Sequence, residues 1–180
     1  AKKISNNIIC NTEIKSIDLL KKQIICKNNL ITYNFLLNTI PLPFFLELSH
    51  LNEKIQHNLE WTIVRAFFVS IPSEMAPIHT WIYIPNKESK IYRIGNFNHF
   101  SKFSSSNENN HLLYVETSVK NNSLEGLPNY LDILFDLEDI LKIKRDVMQL
   151  IDIKDINPAY SIYNKNWKKD LERINLLLSE

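Results

Sequence analysis

Glycine is nearly absent from this 180-residue chain, which contains only Gly95 and Gly126. A dinucleotide-binding G-x-G-x-x-G turn and a phosphate-binding P-loop both need several glycines close together, because only glycine lets the backbone turn tightly and approach a phosphate. The two glycines are far apart in the sequence, so neither motif can be present. We therefore expect that this chain alone does not bind the pyrophosphate of a nucleotide cofactor by either device.

The chain is long and apolar enough to form a folded domain. Its 180 residues, 44% of them hydrophobic, fit about one domain with a buried core. A net charge of +1 provides no general attraction to nucleic acid or to an anionic membrane. No apolar run approaches the ~18 residues of a membrane span, and no signal peptide is recognisable at the start. We expect a cytoplasmic protein with no nucleic-acid partner and no membrane span.

The cysteines and histidines do not form a metal-binding pattern. Cys10 and Cys26 are not part of a C-x-x-C pair, and the five histidines show no spacing such as H-x-x-x-H. A disulfide would be geometrically feasible if the two cysteine segments paired as a hairpin. We expect reduced cysteines and no metal site, since disulfides are rare inside cells.

Most of the chain predicts short strands and a few helices. The strand patterns cover residues 7–10, 13–17, 23–26, 30–33, 60–71, 79–84, 91–94, 111–119 and 147–153. Their hairpin-like spacing favours an antiparallel sheet. Residues 35–40 form a continuous apolar run, which is typical of a strand buried on both faces. Helices are predicted over 44–48, 52–58, 128–143 and 167–178, so the expected fold class is α+β, with an antiparallel or mixed sheet flanked by helices.

Several segments, in order, resemble a known superfamily. Tyr33–Pro43, after an Asn-Asn turn, resembles the part of the flavin-containing amine oxidase superfamily where a hairpin leads into a buried strand ending in a Thr-x-Pro step. Trp81–Pro85, Tyr92–Ile94 and Leu113–Ser118 are similar to bacterial protoporphyrinogen-oxidase-like proteins, which are relatives of the UDP-galactopyranose mutases. Pro158–Tyr163 fits the same pattern, with a serine where a proline is common. The resemblance covers nearly the whole chain.

The resemblance implies a domain organisation. In that superfamily a nucleotide-binding G-x-G-x-x-G precedes this region and a second glycine-rich flavin-binding segment follows it, and both are absent here. The chain therefore resembles the middle of such an enzyme, and its start at Ala1 instead of Met also suggests a fragment. Residues 1–41 would be a small β segment on the flavin-domain side, and residues 42–180 would form the substrate-binding α+β domain.

The function implied is that of the substrate-binding region of an FAD-dependent oxidoreductase. FAD would be bound by the full-length parent and not by this chain alone, so we expect the chain alone to be inactive. Its partners would be a small-molecule substrate and the missing flavin-binding domain in cis. Two alternatives remain open: a flavin-dependent sugar-nucleotide mutase, and a non-enzymatic binding or assembly module that docks a partner protein.

An arginine and several aromatic residues are the candidates for substrate binding. Arg93 corresponds to an arginine near the flavin and substrate in the mutase relatives, and its guanidinium suits an anionic group. The structural alternative is a strand arginine that faces solvent or pairs with Glu116. Aromatic rings could form a wall for a ring-shaped or sugar substrate, or could instead belong to the core or pack at the start of a helix. These aromatic candidates are Trp81, Tyr83, Tyr92, Tyr160 and Tyr163.

Three residues are candidates for cofactor contact through the resemblance alone. Ile14 matches a position whose backbone contacts the adenine of the flavin in the family. Thr39 and Pro41 flank the crossing between the two domains, where an architectural role is the alternative. No catalytic residue can be assigned from the sequence.

Overall fold

The computed structural model describes residues 7–55, 58–101, 109–120 and 124–179. These residues form two compact units. One unit contains the described residues up to Leu59 together with those from Tyr163 onward. The other unit is Glu60–Ile162.

The first unit combines a small sheet with two helices. Strands β1 (Ile14–Asp18), β2 (Gln23–Cys26) and β3 (Leu30–Thr32) form an antiparallel meander. The predicted Asn-Asn turn joins β2 to β3, where the Cys26 N–H donates to the Asn29 carbonyl at 2.8 Å. Its helices are α1 (Leu42–Leu48) and α3 (Trp167–Leu178), and its core consists of Leu46, Leu51, Ile55 and Ile174.

Local sequence explains the start of α1, and a contact from a distant part of the sequence anchors α3. Pro41 caps the N-terminus of α1 and Pro43 lies in its first turn, where a missing N–H costs nothing. In α3, Asp170 is buried, and its carboxylate accepts the Asn58 N–H at 2.9 Å. The predicted helix over 167–178 is confirmed. Of the predicted helix over 52–58, the structure has a short 3-10 turn at Leu51–Glu53, and residues 56–57 lie outside the described residues.

The second unit is built on a six-stranded antiparallel sheet. Its strands are β4 (Glu60–Pro72), β5 (Trp81–Tyr83), β6 (Arg93–Asn96), β7 (Asn110–Lys120), β8 (Gln149–Ile156) and β9 (Ser161–Ile162). The order across the sheet is β5-β6-β7-β4-β8, and β9 pairs with the start of β4. Every strand pair among the described residues is antiparallel, which confirms the antiparallel form of the predicted α+β fold.

Helix α2 (Tyr130–Leu141) covers one face of this sheet. A capping box begins the helix, because Asn129 and Asp132 each accept the other's backbone N–H. Lys142 ends it in the left-handed conformation, with a φ of 57°. The core between helix and sheet includes Phe67, Ile94, Val115, Ile133 and Leu137, all fully buried. Because side chains alternate along a strand, the residues between these core positions point to the opposite face, which we call the site face.

Two predicted strands are wrong. Residues 7–10 and 35–40 have no strand structure, and Phe35 and Leu37 are 86% and 80% exposed instead of buried. The Asn38 side chain bonds both the N–H and the carbonyl of Ile40, so the backbone there is satisfied locally and does not pair. Continuous apolar sequence was therefore not sufficient to specify a buried strand.

Two other expectations concern the same part of the chain. The cysteines are free, with Cys10 exposed and Cys26 buried. Strand β1 brings Ile14, not Cys10, opposite Cys26, so the two thiols do not meet. Helix α1 contacts β1 and lies in the same compact unit, and the expected assignment of residues 1–41 to a flavin-domain side stays a prediction.

Candidate functional site

The pairing register brings residues from three strands together on the site face. Tyr83 of β5 lies opposite Arg93 of β6, which lies opposite Glu116 of β7. On the neighbouring row, Trp81 lies opposite Gly95. Residues opposite one another across antiparallel strands share a face, so all of these positions are neighbours on one surface.

Arg93 is held by a hydrogen-bonded network. Its Nε donates to Glu116 Oε2, and its Nη2 donates to the Tyr160 hydroxyl at 2.6 Å. The Tyr160 hydroxyl donates in turn to Glu116 Oε1 at 3.2 Å. Nη1 makes only a long contact of 3.5 Å with the Tyr83 hydroxyl. Arg93 therefore pairs with Glu116, as the structural alternative expected, and its contact with a substrate stays a prediction.

Four aromatic rings surround the guanidinium. The Arg93 Cζ lies 4.5 Å from the ring centre of Trp81, and 5.6 to 5.8 Å from those of Tyr83, Tyr92 and Tyr160. Cations are attracted to the face of an aromatic ring within about 6 Å of its centre. We call Arg93 and these four aromatic residues, together with its partner Glu116, the Arg93 cluster. Trp81, Tyr83 and Tyr160 keep exposed surface, so a ligand can reach them and they are not core residues.

Burial sets the electrostatics of the Arg93 cluster. Glu116 is fully buried, and the hydrogen bond to it raises the pKa of Arg93, so this arginine stays protonated. Burial, and then the nearby Glu116 carboxylate, raise the pKa of Tyr92 and of Tyr114. The Tyr92 hydroxyl is buried and has no hydrogen-bond partner among the described residues. Both phenols are therefore neutral at ordinary pH.

Gly95 lets the Trp81 ring lie across β6. A Cβ atom at position 95 would stand 2.5 Å from Cζ3 of Trp81, closer than a real side chain tolerates. The indole can therefore rest on the bare strand and contact Phe100 and Tyr114 edge-on, at 5.3 and 6.4 Å between ring centres. The sequence did not identify Gly95 or Tyr114, because their proximity to Trp81 depends on the strand register and not on spacing along the chain.

The remaining sequence candidates lie in the first unit. Tyr163 is there, with its ring 4.8 Å from that of Trp167 in α3, which is the packing contact expected under the structural alternative. Ile14 is half-buried in β1, and Thr39 and Pro41 are exposed just before α1. The contact of these three residues with a cofactor stays a prediction.

The first unit also contains a cleft of about 800 Å³. Leucine, isoleucine and phenylalanine side chains make up much of its wall, together with a few polar groups, Asp18, His50 and Lys54 among them. It contains none of the residues predicted for substrate or cofactor binding. We place the candidate site at the Arg93 cluster because a charged group, hydrogen-bond donors and aromatic faces converge there on residues that the sequence identified.

Neither a metal site nor a membrane-spanning helix is present among the residues that the structure describes. Within them, no group of three or more His, Cys, Asp or Glu side chains is arranged to hold a metal ion. No helix in the described ranges has the length and apolar character needed to cross a bilayer.

Comparison with known proteins identifies similar folds. No protein-family model matches the chain, and no curated protein matches its sequence. A UDP-galactopyranose mutase in its reduced form matches with a TM-score of 0.63 and 20% identity, over 89% of this chain and 37% of the mutase. An oxidoreductase from Methanosarcina mazei matches with a TM-score of 0.58 and 14% identity, over 80% of this chain and 36% of that protein.

A third solved structure agrees with the first two. The PF1083 protein from Pyrococcus furiosus matches with a TM-score of 0.56 and 14% identity, over 83% of this chain and 38% of that protein. At these identities the similarity establishes the fold alone. The chain spans little more than a third of the length of each of these proteins.

Proposed function

We propose that this chain is the substrate-binding region of an FAD-dependent oxidoreductase. It would bind a small molecule with a ring and an anionic group at the Arg93 cluster. The observation that carries the proposal is the convergence of a protonated guanidinium, tyrosine hydroxyls and an exposed indole on one surface. The fold that it shares with a mutase and an oxidoreductase supports the assignment.

Arg93 keeps hydrogen-bonding capacity for a ligand. A guanidinium has five N–H groups, and three contacts to Glu116, Tyr160 and Tyr83 are present among the described residues. The contact from Nη1 is long, so an oxygen atom of a ligand can replace it without breaking the bond to Glu116. Because Glu116 balances the charge, Arg93 would bind mainly through directed hydrogen bonds. The Trp81 and Tyr83 rings would stack on the ring of the ligand.

The residues of this chain do not form a complete FAD site. Gly95 lies in β6 with Trp81 against it, and neither it nor Gly126 has the positive φ of a phosphate-binding turn. No glycine-rich cradle exists for the pyrophosphate. We therefore propose that FAD belongs to the full-length parent, and that this chain alone is catalytically inactive. When bound there, the flavin would supply the redox chemistry.

The first unit supports a partner domain in cis. Leu20, Phe35 and Leu37 expose 80% or more of their surface in a short stretch of sequence. Exposed apolar side chains form a docking surface where they make a continuous patch. We propose that they contact the flavin-binding domain, and that a separate docking partner is the alternative. Hydrogen exchange of residues 30–41 tests this, because joining the two domains in one chain would slow the exchange.

A flavin-dependent sugar-nucleotide mutase is the second candidate function. The mutase match is the observation that favours it, with 20% identity against 14% for the oxidoreductase. The ring and diphosphate of a sugar nucleotide would also suit the Arg93 cluster. The two functions differ in outcome, since a mutase consumes no net electrons and an oxidoreductase does.

Flavin binding tests both functions. The chain is expressed alone and together with the coding sequence that flanks it, and each product is examined for the visible absorbance band of bound flavin. We expect the band only in the longer product. A longer product that folds but binds no flavin would overturn the proposal and favour a non-enzymatic binding module.

A further inference from the structure

The outer edge of the six-stranded sheet is available for pairing. Strand β8 is the last strand in the order, and within the described ranges it pairs only with β4. Every residue from Ile151 to Ile156 is exposed. An edge strand presents unpaired N–H and C=O groups to which a further strand can bind. We propose that β8 pairs antiparallel with β8 of a second copy of this chain, around a two-fold axis at Ile153.

The backbone of β8 places the axis. The Ile153 N–H donates to Oδ1 of its neighbour Asp152 at 2.8 Å, so it lies at the free edge and not in the ladder to β4. Backbone groups alternate along a strand, so an axis at an outward-facing residue creates a hydrogen-bonded pair there. In the dimer, each Ile153 N–H would give up its bond to Asp152 and donate instead to the Ile153 carbonyl of the other copy.

The charges on β8 are self-complementary about the same axis. Asp152 of each copy would lie opposite Lys154 of the other copy, so the dimer would contain two such pairs. These are non-hydrogen-bonded pairs, in which facing side chains come closest. Within one chain Lys154 Nζ and Asp152 Oδ2 are already 3.1 Å apart, and both side chains are at least half exposed. Two copies would therefore form a ring of four alternating charges.

This arrangement differs from the usual protection of a sheet edge. Charged residues on an edge strand normally prevent pairing, because like charges meet when two copies approach. Here the order Asp-Ile-Lys makes opposite charges meet, and the exposed Ile153 side chains lie beside each other at the axis. A register shift at Ile151 ends the regular stretch, so the pairing is short and the dimer is weak.

Charge reversal gives a direct test by sedimentation velocity over a range of protein concentrations. We expect wild-type chain to show a monomer–dimer equilibrium. Asp152→Lys and Lys154→Glu should each raise the dissociation constant about tenfold or more, because each puts two pairs of like charges opposite one another.

Mixing the two charge-reversal variants in equal amounts should restore the dimer. In the mixed dimer, the lysine introduced at position 152 of one copy faces the glutamate introduced at position 154 of the other. The unchanged Lys154 of the first copy faces the unchanged Asp152 of the second. Both pairs are again of opposite charge, so the mixture should dimerise as wild type does.

A second variant tests the backbone. Ile153→Pro removes the N–H at the axis but no hydrogen bond to β4, so the fold should persist while the dimer is lost. Thermal melting at low concentration checks the fold. The proposal is overturned if wild-type chain stays monomeric up to its solubility limit, as it would if β8 received a strand from another protein. It is also overturned if the single variants or Ile153→Pro dimerise as wild type does, or if mixing restores nothing.

Discussion

Two arginines of the same sheet are each held by a carboxylate, on opposite faces and in different ways. Arg65 of β4 faces α2, and its Nε and Nη2 donate to the two Asp155 oxygens at 2.7 and 2.8 Å, while Nη1 reaches the Pro128 carbonyl. Arg93 on the site face gives only Nε to Glu116, and its other contacts are phenol hydroxyls. The first arrangement is complete within the protein. The second leaves donors beside rings that a ligand can reach.

The two carboxylates also differ in burial. Asp155 keeps a third of its side chain exposed, whereas the Glu116 side chain is fully buried. Removing one partner of a buried pair leaves a poorly solvated charge, but an exposed pair contributes little. The site-face pair is therefore the more costly one to break, although it occupies the surface that we assign to binding.

The largest expected effect separates the two pairs by stability. Glu116→Ala should lower the free energy of unfolding by about 3 kcal/mol, because Arg93 loses its counter-charge. Asp155→Ala, the matched control, should lower it by about 1 kcal/mol or less. Chemical unfolding followed by near-ultraviolet circular dichroism measures both. Equal losses of unfolding free energy in the two variants would contradict the distinction between the buried pair on the site face and the exposed pair on the α2 face.

A smaller effect is expected at Gly95. The added methyl of Gly95→Ala would collide with the Trp81 ring, so the indole must move and stability should fall by about 1 to 2 kcal/mol. The Trp81 fluorescence, identified by comparison with Trp81→Phe, should shift. Gly126→Ala is the control, since its Cβ would lie 3.3 Å from Val119 Cγ1 and needs only a slight adjustment. An unchanged emission spectrum in Gly95→Ala would contradict this packing.

The smallest effect concerns pH at the Arg65 pair. The hydrogen bond from Arg65 lowers the pKa of Asp155 below its ordinary value of 3.8. Because the carboxyl of Asp155 has a lower pKa in the folded protein than in the unfolded chain, its ionised form stabilises the folded state at pH values above 3.8. This stabilisation is lost as the pH falls through the pKa of the folded state. The stability advantage of wild type over Asp155→Asn should be about 0.5 kcal/mol at neutral pH and should shrink below pH 3.8. A stability advantage of wild type over Asp155→Asn that increased on acidification would contradict this prediction.

The sequence predicted the second unit better than the first. Long periodic patterns identified β4, β7 and α2, because burial of one face dictates which positions are apolar. The apolar run at 35–40 was misread, since the segment does not pair as a strand and the Asn38 side chain bonds the backbone of Ile40 instead. Short-range polar contacts of this kind leave little periodic signal.

The candidate site was predicted in part. Trp81, Tyr83, Tyr92 and Arg93 are close in sequence, so their clustering could be anticipated. Tyr160, a candidate through the resemblance, joins them from 67 residues away, because the β9 pairing with β4 brings the end of the second unit back to the sheet. Such contacts depend on strand register, which the sequence pattern alone did not specify.

Ligand binding by the two arginines tests the account most directly. UDP-galactose, which carries a ring and a diphosphate, is titrated calorimetrically into wild-type chain, Arg93→Lys and Arg65→Lys. A lysine cannot reproduce the guanidinium fork, so we predict saturable binding that Arg93→Lys weakens about tenfold or more and Arg65→Lys leaves unchanged. Equal weakening by both variants would contradict the assignment of the Arg93 cluster as the substrate site, and absence of binding to wild type would contradict the sugar-nucleotide candidate.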